Sequence, residues 1–205
     1  MLAIDWISVL FLISGSVSAV ILFIVAKRTA SVSNLFFGLS ALSFTIGVLL
    51  GLINDDFTEI AREWGDLLGM TLVLCGLFVK TRNSKPIFAR FPMPMTMLPL
   101  IGVLFYPLIN QAEVIKDLLW ITYQGGAIVV AILVISINHL MYKQRALLLL
   151  ACLILGSSFA IFWFVTIIDR PFSEDIANVM LSAGMLISAL GFKKIGDLNI
   201  KRQKE

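Results

Sequence analysis

Between Arg28 and Asp55 the chain carries no Asp, Glu, Lys or Arg, and the same holds between Asp117 and Lys143 and between Arg145 and Asp169. Uncharged runs of this length match the roughly 20 helical residues needed to cross a hydrocarbon core ~30 Å thick. Only 14% of the 205 residues are charged, against about 25% in a water-soluble domain. The chain therefore reads as an all-α integral membrane protein. Helices are the open option because backbone groups in lipid must be satisfied within each segment.

Seven spans are expected: 4–26, 34–53, 64–79, 95–109, 118–140, 146–168 and 176–192. The first reads as a retained span, since no basic region precedes it. A second soluble domain is not expected in this length. Cys75 and Cys152 both fall in apolar spans and read as buried thiols, with no disulfide framework.

Thirteen of the sixteen basic residues, from Lys27 and Arg28 to Lys204, fall on one side of these spans, and only Arg62, Lys116 and Arg170 fall on the other. Eleven of the thirteen acids lie on that second side. Positive charge marks the cytoplasmic face. This puts the N-terminus outside and the C-terminus inside, as an odd number of spans requires, with a bacterial inner membrane as the expected location. Asp56-Phe57-Thr58-Glu59 has the spacing of a capping box. The stripe Phe57, Ile60, Ala61, Trp64 then predicts a short polar helix at the outer interface, bending into span three.

The chain nearly repeats itself at an offset of 115. Ile53 meets Ile168, Phe57 meets Phe172, Glu59 meets Glu174, Gly69-Met70 meets Gly184-Met185, and Gly76 meets Gly191. The same ungapped alignment pairs Ser43 with Ser158. The expected organisation is one seven-helix membrane domain built 3+1+3. Residues 1–82 and 112–194 are two parallel three-helix units, 83–111 is a connector helix kinked by prolines, and 195–205 is a basic cytoplasmic tail.

No span has a charge near its middle, which argues against a proton pump, a voltage sensor or a cation channel. The orientation resembles that of microbial rhodopsins, but span seven has no central lysine for a Schiff base; Lys193 and Lys194 sit at its end. His139 is the only histidine and cannot supply two haem ligands. No catalytic set or phosphate loop is present, so no enzyme activity, cofactor or metal is expected.

Two regions remain as candidate sites. Ser43, Gln124, Ser158 and Trp163 could line a mid-membrane pocket between the units, although small and hydroxyl residues also serve close helix packing. Asp56, Glu59, Glu63, Asp169 and Glu174 could form an acidic patch at the outer face, or simply cap helix N-termini. The three-plus-one-plus-three layout, N-terminus outside, resembles that of the sugar-transporting SWEET and PQ-loop families. The Pro-Gln pair of those families is absent, since Gln124 follows Tyr123. The likeness implies a fold by analogy.

The leading expectation is a non-enzymatic sensing or scaffolding module that works with a partner. The alternative is a small-solute transporter with its site between the units. Expected partners are the lipid bilayer, a protein at the cytoplasmic tail or outer face, and a second copy of the chain in a homo-oligomer, but no nucleic acid.

Overall fold

Long apolar runs that must satisfy their own backbone groups give helices here throughout. The computed structural model describes residues 6–53, 58–84, 92–109, 113–141, 146–166 and 171–202. They form seven α-helices: α1 (Trp6–Thr29), α2 (Val32–Ile53), α3 (Thr58–Ser84), α4 (Pro99–Ile109), α5 (Glu113–Met141), α6 (Ala146–Thr166) and α7 (Pro171–Arg202). A 3-10 turn, Met93–Met97, precedes α4. Among the described residues four segments are long and apolar enough to cross a membrane: Trp6–Thr29, Val32–Ile53, Ala61–Asn83 and Asp175–Leu198. Shorter apolar stretches, Leu118–Ile132 and Ala146–Phe162, lie in α5 and α6. The described residues are thus almost entirely helical, and the long apolar helices point to membrane association.

Polarity runs inside out. Leu10, Ile13, Val17, Val20 and Ile24 on α1, and Leu35, Leu39, Leu42, Ile46 and Leu49 on α2, are exposed at helical spacing. Ser14, Ser18, Ser40, Ser43 and Thr45 are buried. Lipid rewards aliphatic exteriors, so the polar atoms go to the interior and bond there. Ser18 and Thr45 donate to carbonyls four residues back on their own helices, Ser14 O and Ala41 O.

The helices close into a ring. α1 packs against α2 and α7, α2 against α3, α3 against α5, α5 against α6, and α6 against α7. The α2–α3 seam is made by small residues. Ser40 and Ser43 donate to Gly69 O (2.7 Å) and Gly65 O (3.0 Å). A methyl added at Gly65 would lie 2.7 Å from Gly47 Cα.

α4 lies outside the ring, against α3 and α5. Met93 packs beside Leu72, Cys75 and Val79. At the other end of α4, Tyr106 Oη donates to Glu63 (2.8 Å) and its ring meets Trp64 edge-on. The connector therefore runs antiparallel to α3 from the level of Val79 to that of Glu63, about 24 Å at ~1.5 Å per residue.

Three expectations about elements change. The polar segment 58–64 does not bend into span three: α3 is one uninterrupted helix, and no proline within it removes a backbone donor. Pro99 does not kink an ongoing helix. It is the first residue of α4, where its missing N–H is harmless. The region read as a basic tail continues α7 to Arg202. There Gly196 meets Val25 and Thr29 of α1, and Asp197 lies 4.0 Å from Arg28, both well exposed. α1 and α7 are therefore parallel neighbours.

The α1–α2 connection is short. Ala30 has φ 48° and Ser31 N–H bonds back to Ala26 O (3.2 Å), the Schellman arrangement that ends a helix on a left-handed residue. Ser31 Oγ then accepts from Asn34 N–H, starting α2. The capping box expected at Asp56 lies outside the described residues.

A candidate binding cavity inside the helix ring

A straight helix in a ring turns one face inward, and on α3 that face reads Arg62, Glu63, Asp66, Met70, Val73, Leu77. The steps of three and four residues place these side chains on one stripe. The matching stripe on α7 is Ala177, Asn178, Leu181, Met185, Ser188, Phe192. Between them lies a cavity of about 800 Å³, lined by all six ring helices and by no described residue of α4. Drug-sized ligands occupy pockets of roughly 300–1,000 Å³. From Arg62 to Leu77 the cavity follows α3 for about 22 Å, at ~1.5 Å per residue.

Its two ends differ. One end carries Arg62, Glu63 and Asp66 from α3, Trp120 and Gln124 from α5, and Asn178 from α7. Arg62 Nη2 donates to Asn178 Oδ1 (3.3 Å), reaching from α3 to α7 across the ring. Glu63 is tied outward by the Tyr106 hydroxyl. Asp66 is faced by the Arg62 guanidinium and the Glu63 carboxylate. Trp120 Nε1 is buried with no hydrogen-bond partner among the described residues.

The other end is apolar. Leu22, Phe37 and Leu77 cluster with Ala189, and Phe37 stacks on Phe192. The walls between are mostly aliphatic and aromatic, with Phe44, Met70, Leu155, Phe159 and Met185 prominent. The hydroxyls of the wall are already engaged: Ser18 with Ser14 O, Ser40 with Gly69 O, and Ser158 with Ala177 O. The polar chemistry offered to a ligand is therefore concentrated at the Arg62–Asp66 end.

No known protein family, curated protein or solved structure matches this chain.

Of the residues read as a mid-membrane pocket, Gln124 and Ser158 line the cavity. Ser43 is instead buried in the α2–α3 seam, its hydroxyl held by the Gly65 carbonyl. Ser40, one turn away on α2, is the serine at the wall. The side chain of Trp163 lies outside the described residues. Of the residues read as an outer acidic patch, Glu63 lines the cavity and bonds Tyr106. Asp56 and Asp169, and the side chains of Glu59 and Glu174, lie outside the described residues, as does that of His139. Trp120 and Asn178 were not anticipated at a site, and Arg62 and Asp66 were expected at the outer face rather than in a cavity. The signal for those two was in the sequence: Arg62 and Asp66 sit four apart and in phase with Met70, Val73 and Leu77.

Proposed function

We propose that the protein is a membrane transporter for a small solute, with its binding site between two three-helix units, α1–α3 and α5–α7, joined by α4. The observation that carries this reading is the cavity of about 800 Å³ shared by both units. A packed centre would have favoured a sensing or scaffolding module instead.

The registers of the walls support two related units. Adding 115 to Glu63, Asp66, Met70, Val73 and Leu77 gives Asn178, Leu181, Met185, Ser188 and Phe192, all at the cavity. Adding 111 to Phe37, Ser40, Ala41 and Phe44 gives Leu148, Ala151, Cys152 and Leu155, again all at the cavity. Helix seams keep the same offsets: a methyl at Gly69 would meet Phe44 and one at Gly184 would meet Leu155, while Gly76 faces Phe37 and Gly191 faces Leu148. On this reading the second helices are one turn out of the ungapped alignment, and Ser158 corresponds to Gly47 rather than to Ser43.

The neighbour relations also fit parallel units, since α1 touches α7 as α5 touches α3. Parallel repeats with a site at their interface are a known transporter plan. The charge bias gives the orientation, N-terminus outside and Lys80 and Lys193 at the cytoplasmic ends, in a bacterial inner membrane.

The test is flux across a reconstituted bilayer. Vesicles holding the protein should exchange a solute that protein-free vesicles retain. Ala127 is buried and lines the cavity, so Ala127→Trp should fill the path and abolish the exchange. Unchanged flux in a folded Ala127→Trp protein overturns the proposal.

A further inference from the structure

We infer that the cavity takes an organic cation with an apolar body, its positive head held at Asp66. The inference rests on the reading of the cavity as a ligand site and goes beyond it by naming the ligand's class.

Sign comes from the polar end. Among the described residues two carboxyl groups, Glu63 and Asp66, and one guanidinium, Arg62, line it, so acidic groups outnumber basic ones by one. Their engagements are unequal. Glu63 accepts from Tyr106 on the α4 side, and Arg62 spans the ring to Asn178. Asp66 lies one turn deeper than either and on the inward stripe, so its carboxylate is the one presented to a ligand occupying the cavity. A charge removed from bulk water interacts far more strongly than one on an open surface.

Shape and hydrophobicity come from the rest. Beyond Asp66 the α3 stripe turns to Met70, Val73 and Leu77, and the facing walls bring Leu155, Phe159 and Met185. The wall serines spend their hydroxyls on backbone carbonyls. An inorganic cation would find the Glu63 and Asp66 carboxyls but, among the described residues, no ring of oxygens, whereas hard metal ions take six or more oxygen ligands. Among the described residues no group of three His, Cys, Asp or Glu converges. An alkylammonium places its charge at Asp66 and exchanges its hydrocarbon from water to these walls, which is favourable for every methylene buried.

The companion half of the ring sharpens the point. At the positions of α7 that correspond to Arg62, Glu63 and Asp66 stand Ala177, Asn178 and Leu181. Among the described residues the ionisable groups at the cavity lie on α3 alone, close to one end of it, which suits a ligand charged at one end.

The experiment uses the full chain in nanodiscs and three probes with the same decyl tail: a trimethylammonium, a sulfate and a maltoside head. Radiolabelled decyltrimethylammonium should bind saturably above empty nanodiscs, with the sulfate and maltoside competing at least about tenfold more weakly, as one lost charge pair worth ~1.4 kcal/mol predicts. Asp66→Asn should weaken binding by a similar factor and Asp66→Glu should restore it. Equal competition by all three heads, or unchanged affinity in Asp66→Asn, overturns the inference while leaving a ligand site. No saturable binding of any probe by the wild-type chain overturns both the inference and the ligand-site reading. Saturable, cation-selective binding without flux of any solute supports the inference and removes transport alone.

Discussion

Phe37 of α2 and Phe192 of α7 stack with ring centroids 4.9 Å apart and planes 24° from parallel, and Lys80 Nζ lies 4.4 Å from the Phe192 centroid. Three helices thus meet over the apolar end of the cavity, opposite the Arg62–Asp66 end. The stack lines that end, and the lysine holds its charge on the Phe192 ring face.

The stack gives the first prediction. Phe37→Ala and Phe192→Ala should each destabilise the protein by about 3–5 kcal/mol, as expected for large-to-small changes at packed aromatic sites. In the double variant the losses should fall short of their sum by about 0.5–1.5 kcal/mol, the coupling of an aromatic pair. Unfolding in detergent at fixed lipid-to-protein ratio measures all three. Strict additivity would mean that the stacking carries no energy.

Glycine sites give the second. Gly65→Ala drives a methyl against the α2 backbone at Gly47, which does not yield cheaply, and should cost about 1–3 kcal/mol. Gly126→Ala meets no described atom within 4 Å and should be neutral or stabilising by up to about 1 kcal/mol through helix propensity. The difference in melting temperature between the two variants is the readout.

Ala30 gives the third. It occupies the left-handed position after α1 with a Cβ that glycine would lack. Ala30→Gly should stabilise the fold by about 1 kcal/mol, visible as a higher unfolding midpoint. A lower midpoint would show that chain entropy in the unfolded state outweighs the relieved strain.

The wall serines give the fourth. Ser40→Ala and Ser158→Ala each remove one bond to a neighbouring helix, worth about 0.6 kcal/mol in a membrane protein. Binding of decyltrimethylammonium should not change, because these hydroxyls point their protons at Gly69 O and Ala177 O. A tenfold loss of binding in either variant would make that serine a ligand contact.

Topology gives the fifth. The native cysteines Cys75 and Cys152 are buried, so single cysteines introduced at Arg28 and at Asp197, both exposed, report accessibility cleanly. Both should label from the same side, the cytoplasmic one. The pair itself should contribute at most ~1 kcal/mol, being an exposed salt bridge, and the charge-swapped double variant should keep the fold.

The helix limits were legible in the sequence because a long apolar run has so few options other than a helix. α1, α2, α5 and α6 begin and end within a few residues of the uncharged runs that announce them. Charge near α3 was only half legible, for a physical reason. Hydropathy averages over a turn, so Arg62, Glu63 and Asp66 read only as a helix end, whereas the helical phase also puts them on the stripe that continues as Met70, Val73 and Leu77. On the two-unit reading proposed above, Ser43 and Ser158 are not equivalents, because an ungapped alignment cannot sense a missing turn; the seams place Gly47 opposite Ala61 and Gly65, and Ser158 against Ala177. The cavity depends on which helices become neighbours, and no local pattern encodes that α1 returns to α7.

The small-residue seams also set how the ring can deform. Sliding α2 along α3 would press Gly47 into Gly65 and break the bonds from Ser40 and Ser43 to the α3 backbone, so that pair resists shear like a keyed joint. The α6–α7 pair is keyed likewise by Gly184 and Gly191 against Leu155 and Leu148. α5 presents Gly125 and Gly126 to open space, the nearest contact being Phe159 at 3.9 Å. Among the described residues the ring is therefore keyed less tightly at this part of α5, the helix that carries Trp120 and Gln124 at the charged end, than along the other two seams.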